Sequence, residues 1–207
     1  PAETSLVDPF LGNYVSPSFS VWDYYQYGQP WGSNSELNCM NDRLKVVSSS
    51  QSGLSGYGLL TRKPLQLGDR EYRVYIDHTQ LGNENSVYML LSNRKIYWQH
   101  PYDVDNWLML SFSKQPSGGW RLQKSVNRNI TQLWGDPDTT GGHILWQFNS
   151  DASVLTLKIN GVVKYSGQWG NQFSFAYVHL FEMNFYPNTP TPVYFDEISI
   201  GALGTNG

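Results

Sequence analysis

Apolar side chains in this sequence recur every second residue, in short runs cut by Gly, Pro, Asn and Asp. Almost nowhere do they recur at the three-to-four-residue spacing of a helix. The runs fall near 43–49, 56–63, 70–78, 86–93, 95–100, 107–114, 120–126, 143–150, 154–161, 162–168, 175–185 and 193–201. Asn160-Gly161, between two of them, is a two-residue hairpin signal, because both residues tolerate positive φ. So many strands with regular turns predict an all-β chain built as a two-sheet antiparallel β-sandwich. With 207 residues and neither repeat nor internal boundary, the expectation is one domain over 1–207.

Alternation also assigns faces. Ile144, Trp146 and Phe148 oppose His143, Gln147 and Asn149, and Leu155, Leu157 and Ile159 oppose Thr156, Lys158 and Asn160. Val87, Met89 and Leu91 oppose Tyr88, Leu90 and Ser92, while Leu108, Leu110 and Phe112 oppose Trp107, Met109, Ser111 and Ser113. The run 175–185 is apolar on both parities near its middle, which suits a central strand.

Composition narrows the partner. Hydrophobic residues make up 40% of the chain and charged residues only 15%, so much of the surface falls to Asn, Gln, Ser, Thr, Gly and Tyr. Such groups suit neutral, hydroxyl-rich partners. The net charge of −3 argues against nucleic acid and against an anionic membrane. Cys39 is the single cysteine, so an internal disulfide is excluded and a buried free thiol is expected. The edges "PAETS" and "GALGTNG" read as linkers, which fits a piece of a larger multidomain, secreted chain.

Two groups of side chains have the chemistry of a saccharide site. A pyranose offers C–H faces to aromatic rings and hydroxyls to polar groups. Residues 20–32 hold Trp22, Tyr24, Tyr25, Tyr27 and Trp31 in a Gly/Pro/Asn-bounded stretch that reads as a surface loop. The other reading caps the sandwich with some of these rings; Tyr24 and Tyr25 cannot both point inward from an extended segment. The second group is Glu71, Arg73, Tyr75, Asp77, Tyr88, Trp107, Glu182 and Asn184 on strand faces. It reads either as a binding face or as a solvated face with cross-strand ion pairs. Glu182 lies in an otherwise apolar run, where a carboxylate needs partners or a raised pKa. Glu71 or Asp77 with Glu182 would form a glycosidase pair if their strands were neighbours. The histidines show no metal-binding spacing, and Asp103 and Asp105 read as a turn.

Several stretches resemble the concanavalin A-like lectin/glucanase superfamily, with its laminin-G-type and β-glucanase-like jelly rolls. They are "VDPFLGNY", "VWDYY", "NDRLKVVSSS", "YGLLTRKPLQLGDREYRVYID", "VLTLKINGVVKYSG" and "VYFDEISIG", spread over almost the whole chain. "WGSNSELNCMNDRLKVV" is most similar to retaining laminarinases, yet their Glu-x-Asp-x-Glu strand is missing. The alginate-lyase set is not matched either. The resemblance implies a jelly roll and a function among lectins, binding modules, hydrolases and lyases. It also makes Asp8 and Asp196 candidates for a structural Ca2+, since opening and closing strands often adjoin in that superfamily.

The expectation is therefore a non-catalytic domain that binds a neutral β-linked polysaccharide. The residues nominated for it are Trp22, Tyr24, Tyr27, Trp31, Arg73, Tyr75, Asp77, Tyr88, Trp107, Glu182 and Asn184. The alternatives are a small glycoside hydrolase acting on β-glucan or xylan through Glu71 and Glu182, and a structural or adhesive interaction domain.

Overall fold

The computed structural model describes residues 1–8, 10, 20–28, 35–49, 53–115, 118–170, 173–185 and 191–204. The strands are, in chain order, β1 (Leu6–Asp8), β2 (Trp22–Tyr27), β3 (Glu36–Met40), β4 (Arg43–Val47), β5 (Ser55–Thr61) and β6 (Leu65–Gln66). They continue with β7 (Arg70–Asp77), β8 (Asn85–Ser92), β9 (Trp107–Ser113), β10 (Gly119–Val126) and β11 (Asn129–Asp136). The last are β12 (Gly142–Phe148), β13 (Val154–Ile159), β14 (Val162–Gln168), β15 (Phe175–Asn184) and β16 (Val193–Ala202).

They pair into two antiparallel sheets. The first runs β14-β13-β12-β7-β16-β4-β3, with β1 beside β16; the second runs β11-β10-β9-β8-β15-β5-β2, with β6 beside β15. The expected two-sheet antiparallel sandwich is what the chain forms. Its interior is filled by the parities that alternation picked out, including Trp146 and Phe148 from β12, Leu155 and Leu157 from β13, and Leu110 and Phe112 from β9.

Turn chemistry sets the register. At the β13–β14 hairpin Asn160 and Gly161 have φ of 52° and 79°, as their sequence predicts, and Ile159 pairs with Val162. Asn127 and Arg128 do the same between β10 and β11, with φ of 49° and 66°. That turn sets up β11, an edge strand whose mostly exposed side chains give no alternation to read.

Two sequence expectations change. Residues 22–27 form a strand, not a loop: β2 pairs along the edge of β5. Residues 95–100 form no strand. They belong to a long connection, 93–106, that leaves β8 and returns to β9 through a single 3-10 turn at Pro101–Asp103. Ile96 alone of the apolar residues in 95–100 is fully buried, while Tyr97 and Trp98 turn outward.

Candidate functional site

A second apolar cluster lies on the outside of the second sheet. It joins Tyr25 of β2, Leu60 of β5, Leu90 of β8, Trp107 and Met109 of β9 and Phe181 and Met183 of β15 to Ile96 and Val104 of the 93–106 connection. The connection is fastened down. Nε2 of His179 accepts from the Ile96 amide at 3.0 Å, and the Gln26 amide donates to the Tyr97 carbonyl. The Tyr25 hydroxyl donates to the Gln99 carbonyl, the Trp107 indole donates to the Pro101 carbonyl at 2.7 Å, and Lys95 pairs with Asp23 at 3.0 Å.

Beside this covered area, the same face stays open over β8, β9 and β10. A depression of about 300 Å³ is lined there by Tyr88, Tyr102, Phe185, Ser111, Ser113, Arg121, Gln123 and neighbouring residues, none of them acidic among the described residues. The pairing explains the grouping: Tyr88 is opposite Ser111, and Ser111 is opposite Arg121. Tyr88 stacks on Phe181 at 4.8 Å, and Tyr102 stacks on the buried Trp107 at 5.9 Å, so both rings are held from behind. Rings, a guanidinium, amides and hydroxyls thus converge on one concavity, a donor and acceptor set matched to sugar hydroxyls and C–H faces.

The nominated residues do not form a single site. Tyr88 lines the depression. Tyr27 stands nearby, edge-on to His100 at 5.4 Å. Trp22 is part of the sandwich core, its indole donating to Asp8, and Tyr24 packs against the same core. Trp107 does lie on the outer face but is fully buried beneath the 93–106 connection. Trp31 lies outside the described residues. Arg73, Tyr75 and Asp77 project from the outside of the first sheet, the opposite surface of the molecule. There Arg73 is bonded to Glu71 and Asp77 to Arg43, and Tyr75 and Arg73 border a separate depression of about 410 Å³ with His143, Leu145 and Lys158.

Glu182 and Asn184 sit between the sheets. Glu182 is opposite Val87, and Val87 points into the core, so Glu182 does too. It accepts from Asn85, while Asn184 donates to the Ser48 carbonyl at 3.1 Å. Burial pushes the Glu182 pKa well up. Glu71 is held below the ordinary carboxylate range, against the desolvation of its site, by Gln147, the Gly204 amide and Arg73. The two carboxyl groups lie on different surfaces of different sheets, so the Glu71/Glu182 pair is overturned: no substrate bond can lie between them. Asp77 shares the face of Glu71 and fails as a partner for the same reason.

Asp8 and Asp196 do not fit a shared Ca2+. Asp8 turns inward, where its two oxygens accept from the Phe10 amide and the Trp22 indole, each at 2.8 Å. Asp196 pairs with Tyr75 and lies on the outer face. A sheet separates them.

No protein-family model matches the chain, and no curated protein does. Solved structures match over nearly its full length. A β-1,3-glucanase from Mycobacterium marinum superposes with a TM-score of 0.68 at 10% identity, covering 94% of this chain and 97% of that one. A pseudo β-1,3-glucanase of Mycobacterium tuberculosis gives 0.67 at 12% identity, covering 95% and 98%. The Bacillus licheniformis β-glucanase gives 0.65 at 11%, covering 97% and 99%. The chain has the β-glucanase jelly-roll fold. At such identities the likeness is one of fold, as the superfamily resemblance in the sequence implied.

Within this jelly roll, sequence reasoning passed over Tyr102, Arg121, Gln123 and Phe185. Arg121 and Gln123 could have been found, since they alternate with the inward Leu122 of β10. Tyr102 had no such signal, because its position depends on how the 93–106 connection folds back.

Proposed function

We propose that this chain is a carbohydrate-binding domain without hydrolytic activity, and that it takes a neutral β-linked glycan in the depression over β8, β9 and β10. The lining of that depression carries the reading. Tyr102 and Tyr88 offer ring faces for stacking, and Arg121, Gln123, Ser111 and Ser113 offer donors and acceptors for hydroxyls. Hydrolysis by an acid pair needs two carboxyl groups about 5–10 Å apart on either side of the bond. The described lining supplies none, and the carboxylates nominated for that role lie elsewhere. The fold shared with glucanases supports a polysaccharide as the partner class.

Affinity electrophoresis and calorimetry with laminari-, cello- and xylo-oligosaccharides test this. At least one neutral series should retard the protein in the gel without release of reducing ends, and an Arg121→Ala, Tyr102→Ala double variant should lose the retardation. Release of new reducing ends by the wild-type protein would overturn the non-catalytic reading. Failure to bind all three series would overturn the carbohydrate reading.

A further inference from the structure

On the outside of the second sheet, the side chains pointing away from the core can be followed strand by strand. Two rows are fixed by pairing. One runs Arg121, Ser111, Tyr88, Phe181, Gly58 and Tyr25; the next runs Gln123, Met109, Leu90, His179, Leu60 and Asp23. Exposure changes abruptly along both. On β15, β5 and β2 the side chains of Phe181, His179, Leu60 and Tyr25 have no exposed area, and Met183 has 1%. Asp23, Tyr27 and Tyr177 keep partial exposure at the margins of this half. On β10, β9 and β8, Arg121 is exposed, and Ser111, Ser113, Gln123 and Tyr88 are partly exposed, whereas Met109 and Leu90 of the second row are already buried, so that row closes at β9 and the first at β15. The 93–106 connection makes the difference, because it lies over the first group and over Leu90, Met109 and Trp107, and ends its cover at Tyr102.

The path of seven strands from β11 to β2 spans about 29 Å at an interstrand spacing of about 4.8 Å, and the part left open along the row of Arg121, Ser111 and Tyr88, β11 to β8, spans about 14 Å. A glycan laid across the strands can therefore enter from the β11 side, but at the wall formed by Tyr88, Tyr102 and Phe185 it meets protein. The wall is a built feature. A buried histidine, an indole donor, an ion pair and an apolar cluster hold it in place.

We infer that the site receives the end of a glycan chain and does not accept an internal stretch. This rests on the carbohydrate reading of the depression and adds to it the form of the ligand. A chain terminus can stop against Tyr102 with its last ring stacked there. An internal segment would have to continue through space already filled by Ile96, Gln99 and Pro101.

The test uses the whole chain and one neutral β-glucan that it binds, cut to fractions of known mean length. At fixed mass, each halving of mean length doubles the number of chain ends, so binding capacity per gram should double with it. Calorimetric stoichiometry should stay at or below two proteins per chain, one for each end, even for long fractions. A cyclic glucan of the same linkage, which has no ends, should bind at least ten-fold more weakly than a linear oligosaccharide of equal size. Capacity that follows mass and ignores length, or equal affinity for the cyclic form, would overturn the inference while leaving carbohydrate binding in place. Absence of binding to linear, polymeric and cyclic forms alike would instead remove the carbohydrate reading and this inference with it.

Discussion

The side-chain amide of Asn85 donates to Oε1 of Glu182 between the two sheets, while Oε2 of Glu182 and Oδ1 of Asn85 have no hydrogen-bond partner among the described residues. Both orphaned atoms are acceptors if Glu182 is ionised. A proton on Glu182 supplies the donor that these acceptors lack. Burial drives the pKa the same way, opposed only by the bonds from Asn85 and the Ser48 backbone. Both effects favour the neutral acid of Glu182 in the folded protein. The linkage follows: above the ordinary value of 4.5 the unfolded chain releases this proton and the folded chain keeps it. Its contribution to stability therefore falls as pH rises, until the raised folded value is passed. Glu182→Gln, which mimics the neutral acid, should flatten that slope, so the variant gains on wild type in urea titrations as pH rises above the ordinary value of 4.5. Glu182→Ala should cost about 1–3 kcal/mol by stranding the Asn85 amide. Equal pH slopes for wild type and Glu182→Gln would show that Glu182 is ionised in the fold.

His179 provides the opposite slope and controls the cover over β15. Its Nε2 accepts from the Ile96 amide, which leaves the proton on Nδ1, facing the Tyr177 carbonyl at 3.1 Å. Burial lowers its pKa to about 4, against 6.5 in the unfolded chain. Between those values the unfolded state binds the extra proton, so this contribution is complete above pH 6.5 and is lost as pH falls towards 4. Protonation also puts an N–H against the Ile96 N–H. Hydrogen exchange at the Ile96 amide, corrected for its intrinsic pH dependence, should therefore quicken below about pH 5 before global unfolding. His179→Gln should remove the pH step. Protection of Ile96 that holds down to pH 3 would refute the arrangement.

The sandwich could be read from the sequence because its signals are local. Alternation put Trp146, Phe148, Leu155 and Leu157 inside, and Asn160-Gly161 set a hairpin. The site was far less legible. Period-2 alternation says that Arg73 and Tyr88 share nothing with the inward residues of their own strands, but not which sheet either strand joins. β7 and β8 are consecutive in sequence and lie in different sheets, so outward residues from the two point to opposite sides of the molecule. Trp107 was placed correctly as outward, but its burial depends on a connection that reads as a strand at 95–100. Glu182 followed the inward parity all along. Its charge suggested a surface site, although burial and protonation satisfy the same residue.

The separation of the two faces gives a direct comparison of one residue from each. Arg121 lines the depression proposed as the site, and Tyr75 lines the depression on the far side of the sandwich. Loss of a charged hydrogen-bonding group from a site costs about 1.5–3 kcal/mol, or roughly ten- to a hundred-fold in affinity. Arg121→Ala should weaken glycan binding by that factor and leave thermal stability nearly unchanged. Tyr75→Ala on the opposite face should leave affinity within about two-fold. Titration calorimetry on both variants decides. A loss at Tyr75 equal to that at Arg121 would move the site to the first sheet.

Trp107 and Tyr102 form a stack whose members should fail in different ways. Trp107 has no exposed area and its indole holds the Pro101 carbonyl, so Trp107→Ala removes a packed ring and the anchor of the 3-10 turn together. Such truncations cost about 3–5 kcal/mol. Tyr102 is 45% exposed and meets Trp107 with one face only, leaving its other side to the depression. Its removal should cost about 1 kcal/mol or less in stability, the range of an aromatic pair, yet lower glycan affinity at least ten-fold. Denaturant melts and calorimetry, run on both variants, separate the roles. If Trp107→Ala stays fully stable, the ring is not the support of the connection. If Tyr102→Ala binds like wild type, its ring is not where the sugar stacks.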